Sequence, residues 1–448
     1  MQLSPTRRVA IVGQPWENVE PDVGSSISII ANGLARCLAR DWRVTIYGRR
    51  WPGQKHFEIN SEKIEFRRFT VTDKHQRILI AILSVLACWK RKRVNYMFSY
   101  FYHFFYFLRA ALSVRASKCD VVLVINFLQG AAIIKFFNPS AAVCLRMGCE
   151  WLTQFASVAS GRRLRNVDLI IGVSEYISQS IRIRFPEGAA RCFTVYNGVD
   201  TTRFCPLLGV PPQKQNIQRI LFVARVSPEK GAHVLIQAFK ILAESRPALR
   251  LDIVGGAGML PYIYLAPDPD DQAIATLEPF YGNRLCDIVR RHVRGRSYIG
   301  ELAAEVAGDE RIVFHGPVSH SETIDFYRRA AVMVFPSVWN EPSGNSTIEA
   351  GACGLPVIST YSGGIPEYVE DGRTGLLTTR GDASELARAI AKVLDDAALA
   401  HVMGEAGRQR ALERFTWEAS TRRLVELIEN ARDRSPYAQS QGGRKPKL

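Results

Sequence analysis

The chain has 448 residues, 47% of them hydrophobic and 23% charged, with a formal net charge of +15. That apolar content is ample for large cores, and the length suits two or three domains. The nine cysteines are odd in number and include no C-x-x-C pair, which argues for reduced thiols in a cytosolic protein and against a disulfide scaffold or a zinc site.

The basic excess is confined to the first half. Residues 1–200 hold 28 Lys/Arg against 14 Asp/Glu, and the remainder holds 30 against 29. The run VAIVG, 9–13, is too short for a secretion signal and predicts a first buried strand. A polar loop through Gly24 and Ser25 leads to a helix ending near Arg40. RVTIYG, 43–48, predicts the second strand. Lys74 to Lys118 then contains nine basic residues and no acid, densest at Lys90-Arg91-Lys92-Arg93. An apolar run, Ile78 to Trp89, precedes that cluster. Tyr96, Phe98, Tyr100, Phe101, Tyr102, Phe104, Phe105, Tyr106 and Phe107 follow it. Spanning a membrane takes ~20 uninterrupted apolar residues, and the basic cluster breaks the segment. No nucleic-acid-binding module is recognisable. An anionic membrane surface suits cations beside aromatics, and the alternative is ordinary helices packed on a sheet.

Buried strands are predicted at DVVLVINF (120–127), AAVCLRM (141–147) and DLIIGVS (168–174), alternating with helical stretches. After the YNGV sequence near 196–199 the alternation restarts with RILFVAR, LRLDIVGG, RIVFHG, VMVFPS and LPVIST. The class is therefore α/β, with doubly wound parallel sheets, and ligands bind such sheets beyond the carboxyl ends of the strands.

Residues 335–376 are the most informative. Glu341 lies in a Pro/Gly/Ser/Asn loop, and Glu349 falls just inside the helix that the loop opens. The strand at Pro356–Ser359 leads to a second glycine loop, Gly363-Gly364-Ile365-Pro366-Glu367, with Pro366 suited to a helix start. Helix starts present unpaired N–H groups, and glycines let the backbone approach a phosphate. Carboxylates repel phosphate and instead accept hydrogen bonds from sugar or ribose hydroxyls. Phosphate donors beside hydroxyl acceptors describe a nucleotide-sugar site. Asp268-Pro269-Asp270-Asp271 contains a D-x-D pattern, but it lies in a proline-rich loop with no strand leading into it. It reads as a solvated acidic loop rather than a metal site.

These motifs resemble those of the retaining glycosyltransferases of family four, which have the GT-B fold. A strand ending in FPS is followed by Glu341-Pro342-Ser343-Gly344, a second glutamate eight positions on, ACGLPVI, and Gly363-Gly364-Ile365-Pro366-Glu367. VARVSPEKGAHVLIQAF (223–239) is similar to the family's phosphate-binding strand–loop–helix, with Arg225 and Lys230 as cations. LDIVGGAG (251–258), VYNGVDTTRF (195–204) and VSEYISQSI (173–181) also match. The resemblance spans nearly the whole chain and is strongest over 195–258 and 312–377.

It implies two doubly wound Rossmann-like domains facing across a cleft. An acceptor-binding domain occupies 1–198, and a nucleotide-sugar-binding domain occupies 199–415 with an unusual insertion at 259–310. A C-terminal helix at 416–434 returns to the first domain, and 435–448 is a disordered tail. It implies transfer of a sugar from a UDP- or GDP-sugar to a glycan or lipid-linked acceptor, with retention and without a metal. Bacterial surface polysaccharide, lipopolysaccharide or glycolipid synthesis at the inner face of the membrane is the implied setting. By resemblance Glu341, Arg225 and Lys230 are catalytic. Glu349, Gly344, Asn345, Ser346, Gly256, Gly363, Gly364 and Val318 bind the donor. The family's first-domain histidine is absent, since none occurs between His103 and His233. Gly24, Ser25, Asn126, Arg146 and Glu150 are the acceptor-side candidates. His233 faces either the site or the helix surface, and His315 reads as a loop residue near the base. The alternatives are another GT-B enzyme, an epimerase or phosphorylase, and a non-catalytic nucleotide-sugar-binding scaffold.

Overall fold

The computed structural model describes residues 7–22, 25–71, 101–154, 158–207, 218–259, 265, 271–281 and 297–433. Gly24, Lys74–Tyr100, Asp268–Asp270 and the tail from Ser435 lie outside them. The chain forms two compact units. One is Met1–Tyr196 with Trp417–Leu448, and the other is Asn197–Thr416.

The first unit is built on an eight-stranded sheet. In chain order its strands are β1 Arg7–Val12, β2 Trp42–Arg49, β3 Phe57–Ile59, β4 Glu65–Phe69, β5 Val121–Ile125, β6 Ala142–Met147, β7 Leu169–Gly172 and β8 Cys192–Thr194. They lie side by side as β3-β4-β2-β1-β5-β6-β7-β8, and all pairs are parallel except β3 with β4. Every residue of β5, β6 and β7 is buried. Such continuous apolar strands fit a sheet covered on both faces.

One covering helix is Ser26–Leu38 and another is the last helix, Trp417–Asp433. Ile30, Leu34 and Leu38 share a core with Ile46, Leu123, Trp417, Leu424, Leu427 and Ile428. A side chain at Gly33 would overlap the Trp417 indole, so this close approach requires glycine. Arg40 pairs with Glu418 at 2.8 Å, and Arg7 pairs with Glu429.

Where it is described, the aromatic run of this unit divides its labour. Tyr106 and Phe107, on the helix Phe104–Ala116, are buried. The Tyr106 hydroxyl lies 3.0 Å from the carbonyl oxygen of Gly13 and 3.2 Å from that of Tyr47. Phe101 and Phe105, by contrast, are 68% and 67% exposed.

The second unit is a six-stranded, wholly parallel sheet. Its strands are β9 Arg219–Val223, β10 Arg250–Val254, β11 Ile312–Gly316, β12 Val332–Phe335, β13 Val357–Thr360 and β14 Gly375–Thr378, side by side as β11-β10-β9-β12-β13-β14. The chain winds one way from β9 to β11 and the other way from β12 to β14. The switch point lies between β9 and β12, where doubly wound sheets bind ligands.

His315 is a strand residue, not the loop residue that the sequence suggested. It lies in β11 with its Nε2 2.8 Å from Asp252 Oδ1, and Asp252 also takes Arg219 at 2.6 Å. Described parts of the insertion include short helices at Gln272–Ala275 and Glu278–Tyr281 and a longer one at Tyr298–Glu305.

Candidate functional site

Residues from five loops of the second unit gather beyond the carboxyl ends of its strands. After β9 the chain passes Arg225, makes a single turn at Pro228–Lys230 and enters the helix Ala232–Ala243. Gly231 joins the two with φ 77°, and a Cβ there would overlap the Pro336 carbonyl oxygen. Glycine is therefore needed twice over. The carbonyl of Glu229 accepts from Val338 N at 3.0 Å, Trp339 N at 3.2 Å and the Ser337 hydroxyl at 3.2 Å. These bonds tie the loop after β9 to the loop after β12, across the switch point.

The tie brings together two residues that the sequence singled out. The Lys230 ammonium donates to Glu341 Oε2. Both side chains are largely enclosed, at 13% and 9% exposure. Lys230 Nζ also lies 5.5 Å from the centre of the Phe335 ring and 5.3 Å from that of Trp339, so aromatic faces add to its stabilisation. A buried charge pair of this kind stands or falls as a unit, because removing one partner strands the other.

The glycine pair predicted to approach a phosphate first serves Glu341. Gly364 N donates to the Glu341 carbonyl at 2.7 Å. Gly363 has φ 49°, and a Cβ there would collide with that same carbonyl oxygen. Gly344 caps the helix Asn345–Ala352, and an added Cβ would lie 2.6 Å from Ile365 Cδ1. Asn345 Oδ1 accepts from Asn197 Nδ2 at 2.8 Å, and Ser346 follows it in the helix. Gly256 accepts from Val226 N at 2.9 Å, which holds the loop after β10 against the loop after β9. Val318 lies in the loop after β11, two residues before His320.

Glu349 is buried on the helix Asn345–Ala352. His320 Nε2 lies 2.7 Å from its Oε1, and the Tyr327 hydroxyl donates to Oε2 at 2.8 Å. Each carboxylate oxygen has a second lone pair, so these bonds orient the group without exhausting it. Burial, then the Glu349 charge, pushes the Tyr327 hydroxyl well above its ordinary pKa, which keeps it a donor.

Arg225 turns to Glu229 rather than to Lys230 or Glu341. Its Nη2 donates to Glu229 Oε1 at 2.6 Å, while the Tyr281 hydroxyl donates to Glu229 Oε2 at 2.6 Å. Glu229 is fully buried, and the Arg225 side chain is 38% exposed. Neither Glu229 nor Tyr281, nor His320, Tyr327 and Asn197, stood out in the sequence. Glu229 and Asn197 lie inside the matched segments 223–239 and 195–204, but each role depends on a partner that only the fold supplies: Tyr281 for Glu229, Asn345 for Asn197, and Glu349 for both His320 and Tyr327.

The structure corrects two further expectations. Asp271 is not a solvated acid. It pairs with Arg380 through both oxygens, at 2.9 and 3.1 Å, with 8% of its side chain exposed, and it also caps the helix Gln272–Ala275. His233 packs in a half-buried aromatic cluster with Phe280 and Tyr298. Its Nδ1 is 2.9 Å from the Tyr298 hydroxyl, its ring centre is 4.7 Å from that of Phe280, and burial lowers its pKa to about 4.

The acceptor-side candidates belong to the first unit, and all but Gly24 are described. Ser25 donates to Glu17 at 2.6 Å. Asn126, with φ 64°, accepts from Gly148 N at 2.6 Å. Arg146 is fully buried in β6 and donates to the Val195 carbonyl at 3.1 Å. Glu150 accepts from the Tyr176 hydroxyl at 2.6 Å. Each has a structural partner in its own unit. Among the described residues, no three His, Cys, Asp or Glu side chains cluster as metal ligands would, and no helix is long and apolar enough to cross a membrane.

This arrangement of strand-end loops agrees with what the chain is similar to. The family model for glycosyl transferases group 1 matches residues 210–410, and that for glycosyltransferase family 4 matches residues 27–203. The chain belongs to this glycosyltransferase family. Among family relatives, the D-inositol 3-phosphate glycosyltransferase of Streptomyces avermitilis is 30% identical over 261 residues. That match takes in 56% of this chain and 49% of the relative, about half its length. Sucrose-phosphate synthase from Thermosynechococcus elongatus superposes with a TM-score of 0.68 at 22% identity, covering 96% of this chain and all of that one. Anabaena HepE, solved in complex with UDP-glucose, superposes with a TM-score of 0.64 at 18% identity, covering 94% of this chain and 99% of HepE. At these identities the two structures show the fold, a pair of Rossmann-like domains of the GT-B type.

Proposed function

We propose that this glycosyltransferase moves a sugar from a UDP- or GDP-sugar to a glycan or lipid-linked acceptor, with retention at the anomeric carbon. The observation that carries the reading is the enclosed Lys230–Glu341 pair at the switch point between β9 and β12. A cation for the diphosphate stands there beside a carboxylate for sugar hydroxyls. The UDP-glucose complex of HepE supports a nucleotide-sugar donor.

Breaking the sugar–phosphate bond develops negative charge on the leaving diphosphate. Arg225 and Lys230 stabilise that charge, together with the loop amides around Gly256, Val318 and Gly344–Ser346. Arginine offers a planar fork to two oxygens and lysine a compact point charge. Glu341 exchanges Lys230 in part for hydroxyls of the transferred sugar, which releases the ammonium toward phosphate. Glu349 holds ribose hydroxyls with its remaining lone pairs. In a front-face reaction the leaving phosphate takes the acceptor proton, so no enzyme nucleophile is required.

The acceptor side is read from the first unit. Phe101, Phe105, Leu112 and Phe136 are 68%, 67%, 49% and 80% exposed, and the helix Phe104–Ala116 carries arginines but no acid. Apolar side chains among cations suit an anionic membrane surface and a lipid-linked acceptor on the cytoplasmic side, in the synthesis of a bacterial surface polysaccharide, lipopolysaccharide or glycolipid.

Thermal shift against nucleoside diphosphates tests the donor reading. A ligand at a hundred times its dissociation constant adds about 2.7 kcal/mol of stability. A shift with UDP or GDP that is lost in Lys230→Ala is expected, and no shift with any nucleotide would overturn it.

A further inference from the structure

We infer that the described pieces of the insertion between Gly258 and Arg311, at 271–281 and from 297, are a buttress for the donor-phosphate cations, and that Tyr281 positions Arg225 through Glu229. The inference rests on the nucleotide-sugar reading above and assigns the insertion a part in it.

The described pieces of the insertion grip the turn that carries Lys230 from both ends. At the near end, the Tyr281 hydroxyl donates to Glu229 Oε2 at 2.6 Å. At the far end, the Tyr298 hydroxyl accepts from His233 N at 3.2 Å and lies 2.9 Å from His233 Nδ1. Phe280 packs its ring against both His233 and Tyr298, with centres 4.7 and 5.3 Å away. A third hold acts on the neighbouring loop. Asp271 pairs with Arg380, and Arg380 Nη1 donates to the Val338 carbonyl at 3.2 Å, three residues before Glu341.

Tyr281 has the sharpest consequence. Glu229 is fully buried, so its carboxylate must be satisfied by protein donors. Tyr281 takes one oxygen and Arg225 the other. With Tyr281 in place, Glu229 points its second oxygen at one edge of the guanidinium and fixes the angle of the fork. The exposed remainder of that fork is then presented in one orientation. Without the tyrosine hydroxyl, Glu229 draws on the Arg225 donors for both oxygens, and the fork turns inward, away from the diphosphate. Burial and the adjoining Glu229 charge push the Tyr281 hydroxyl up, so it remains a donor at any working pH.

The test is a double-mutant cycle on nucleotide binding. UDP and GDP are titrated calorimetrically into the full chain and into the variants Tyr281→Phe, Arg225→Gln and Tyr281→Phe/Arg225→Gln. Tyr281→Phe keeps the ring and is checked for folding by its thermal transition. It is expected to weaken the bound nucleotide about tenfold and to raise the donor KM with little change in acceptor KM. In the Arg225→Gln background the same change is expected to have almost no further effect, because its target is gone. A purely structural role would weaken binding equally in both backgrounds. Equal affinity of the full chain and Tyr281→Phe, or additive losses in the cycle, overturns the positioning role alone. Failure of the unaltered chain to bind either nucleotide overturns the donor reading and this inference with it.

Discussion

At the residue scale the site turns on charges whose partners are buried with them. Lys230 and Glu341 form one such pair, and truncating either leaves the other exposed to a poor dielectric. Glu341→Gln keeps the shape and is expected to lower turnover by about a hundredfold or more while the chain stays folded, as measured by steady-state kinetics beside circular dichroism. Near-normal turnover would remove Glu341 from the mechanism. His233 supplies a prediction of a different kind. Its folded pKa is lowered by burial to about 4 from an unfolded value of 6.5, so the unfolded chain binds the extra proton first as pH falls. Its contribution is intact above pH 6.5 and is lost as the pH falls toward 4, amounting to about 3 kcal/mol at most. Urea midpoints should fall over that window in the native chain and less steeply in His233→Gln. Equal slopes would show that His233 does not govern the acid limb.

At the scale of elements, two glycine-bearing turns join strands to helices where no other residue fits. Gly231 combines φ 77° with a backbone oxygen in the place of any Cβ. Gly231→Ala must therefore push the Lys230 turn away from Pro336. The expected cost is about 2 kcal/mol or more, with nucleotide affinity falling alongside it. A variant as stable as the native chain would mean that the turn yields freely and does not hold Lys230. The helix Phe104–Ala116 carries the other element-scale prediction. Full-length protein should sediment with anionic vesicles at low salt and release at high salt, because exposed charges are screened. Phe105→Ser with Leu112→Ser should weaken that binding, and equal sedimentation with neutral vesicles would argue against an electrostatic surface.

At the scale of the molecule, the chain leaves its first unit at Tyr196 and rejoins it at Trp417. The last helix fills the groove that Gly33 opens, and its apolar face completes a core with Ile30 and Leu34. Ending the chain after Thr416 should destabilise the first unit by several kcal/mol, since each buried Leu, Ile or Trp there contributes about 1.5–3 kcal/mol. The second unit should keep its own transition and its affinity for nucleotide. Calorimetry would then show one displaced transition and one unchanged. Loss of both would mean that the units do not fold independently.

The sequence by itself determined the strands, the glycine turns and the kind of residues that follow each strand. Continuous apolar runs such as VVLVI and VMVF mark buried parallel strands, and FPS, Glu341, Glu349 and Gly363-Gly364 mark what lies beyond their ends, because period and turn chemistry are local properties. Tertiary structure alone decided which side chain each charge meets. Lys230 and Glu341 are 111 residues apart and touch because β9 and β12 are neighbours at the switch point. Asp271 and Arg380 are 109 apart, and Tyr281 reaches Glu229 over 52 residues. An aspartate in the acidic run 268–271, or a tyrosine at 281, gives no local sign of such a partner. That is why Asp271 read as solvated and His315 as a loop residue until the order of strands was known. Sheet order sets these distances, and nothing in the spacing of residues along the chain encodes them.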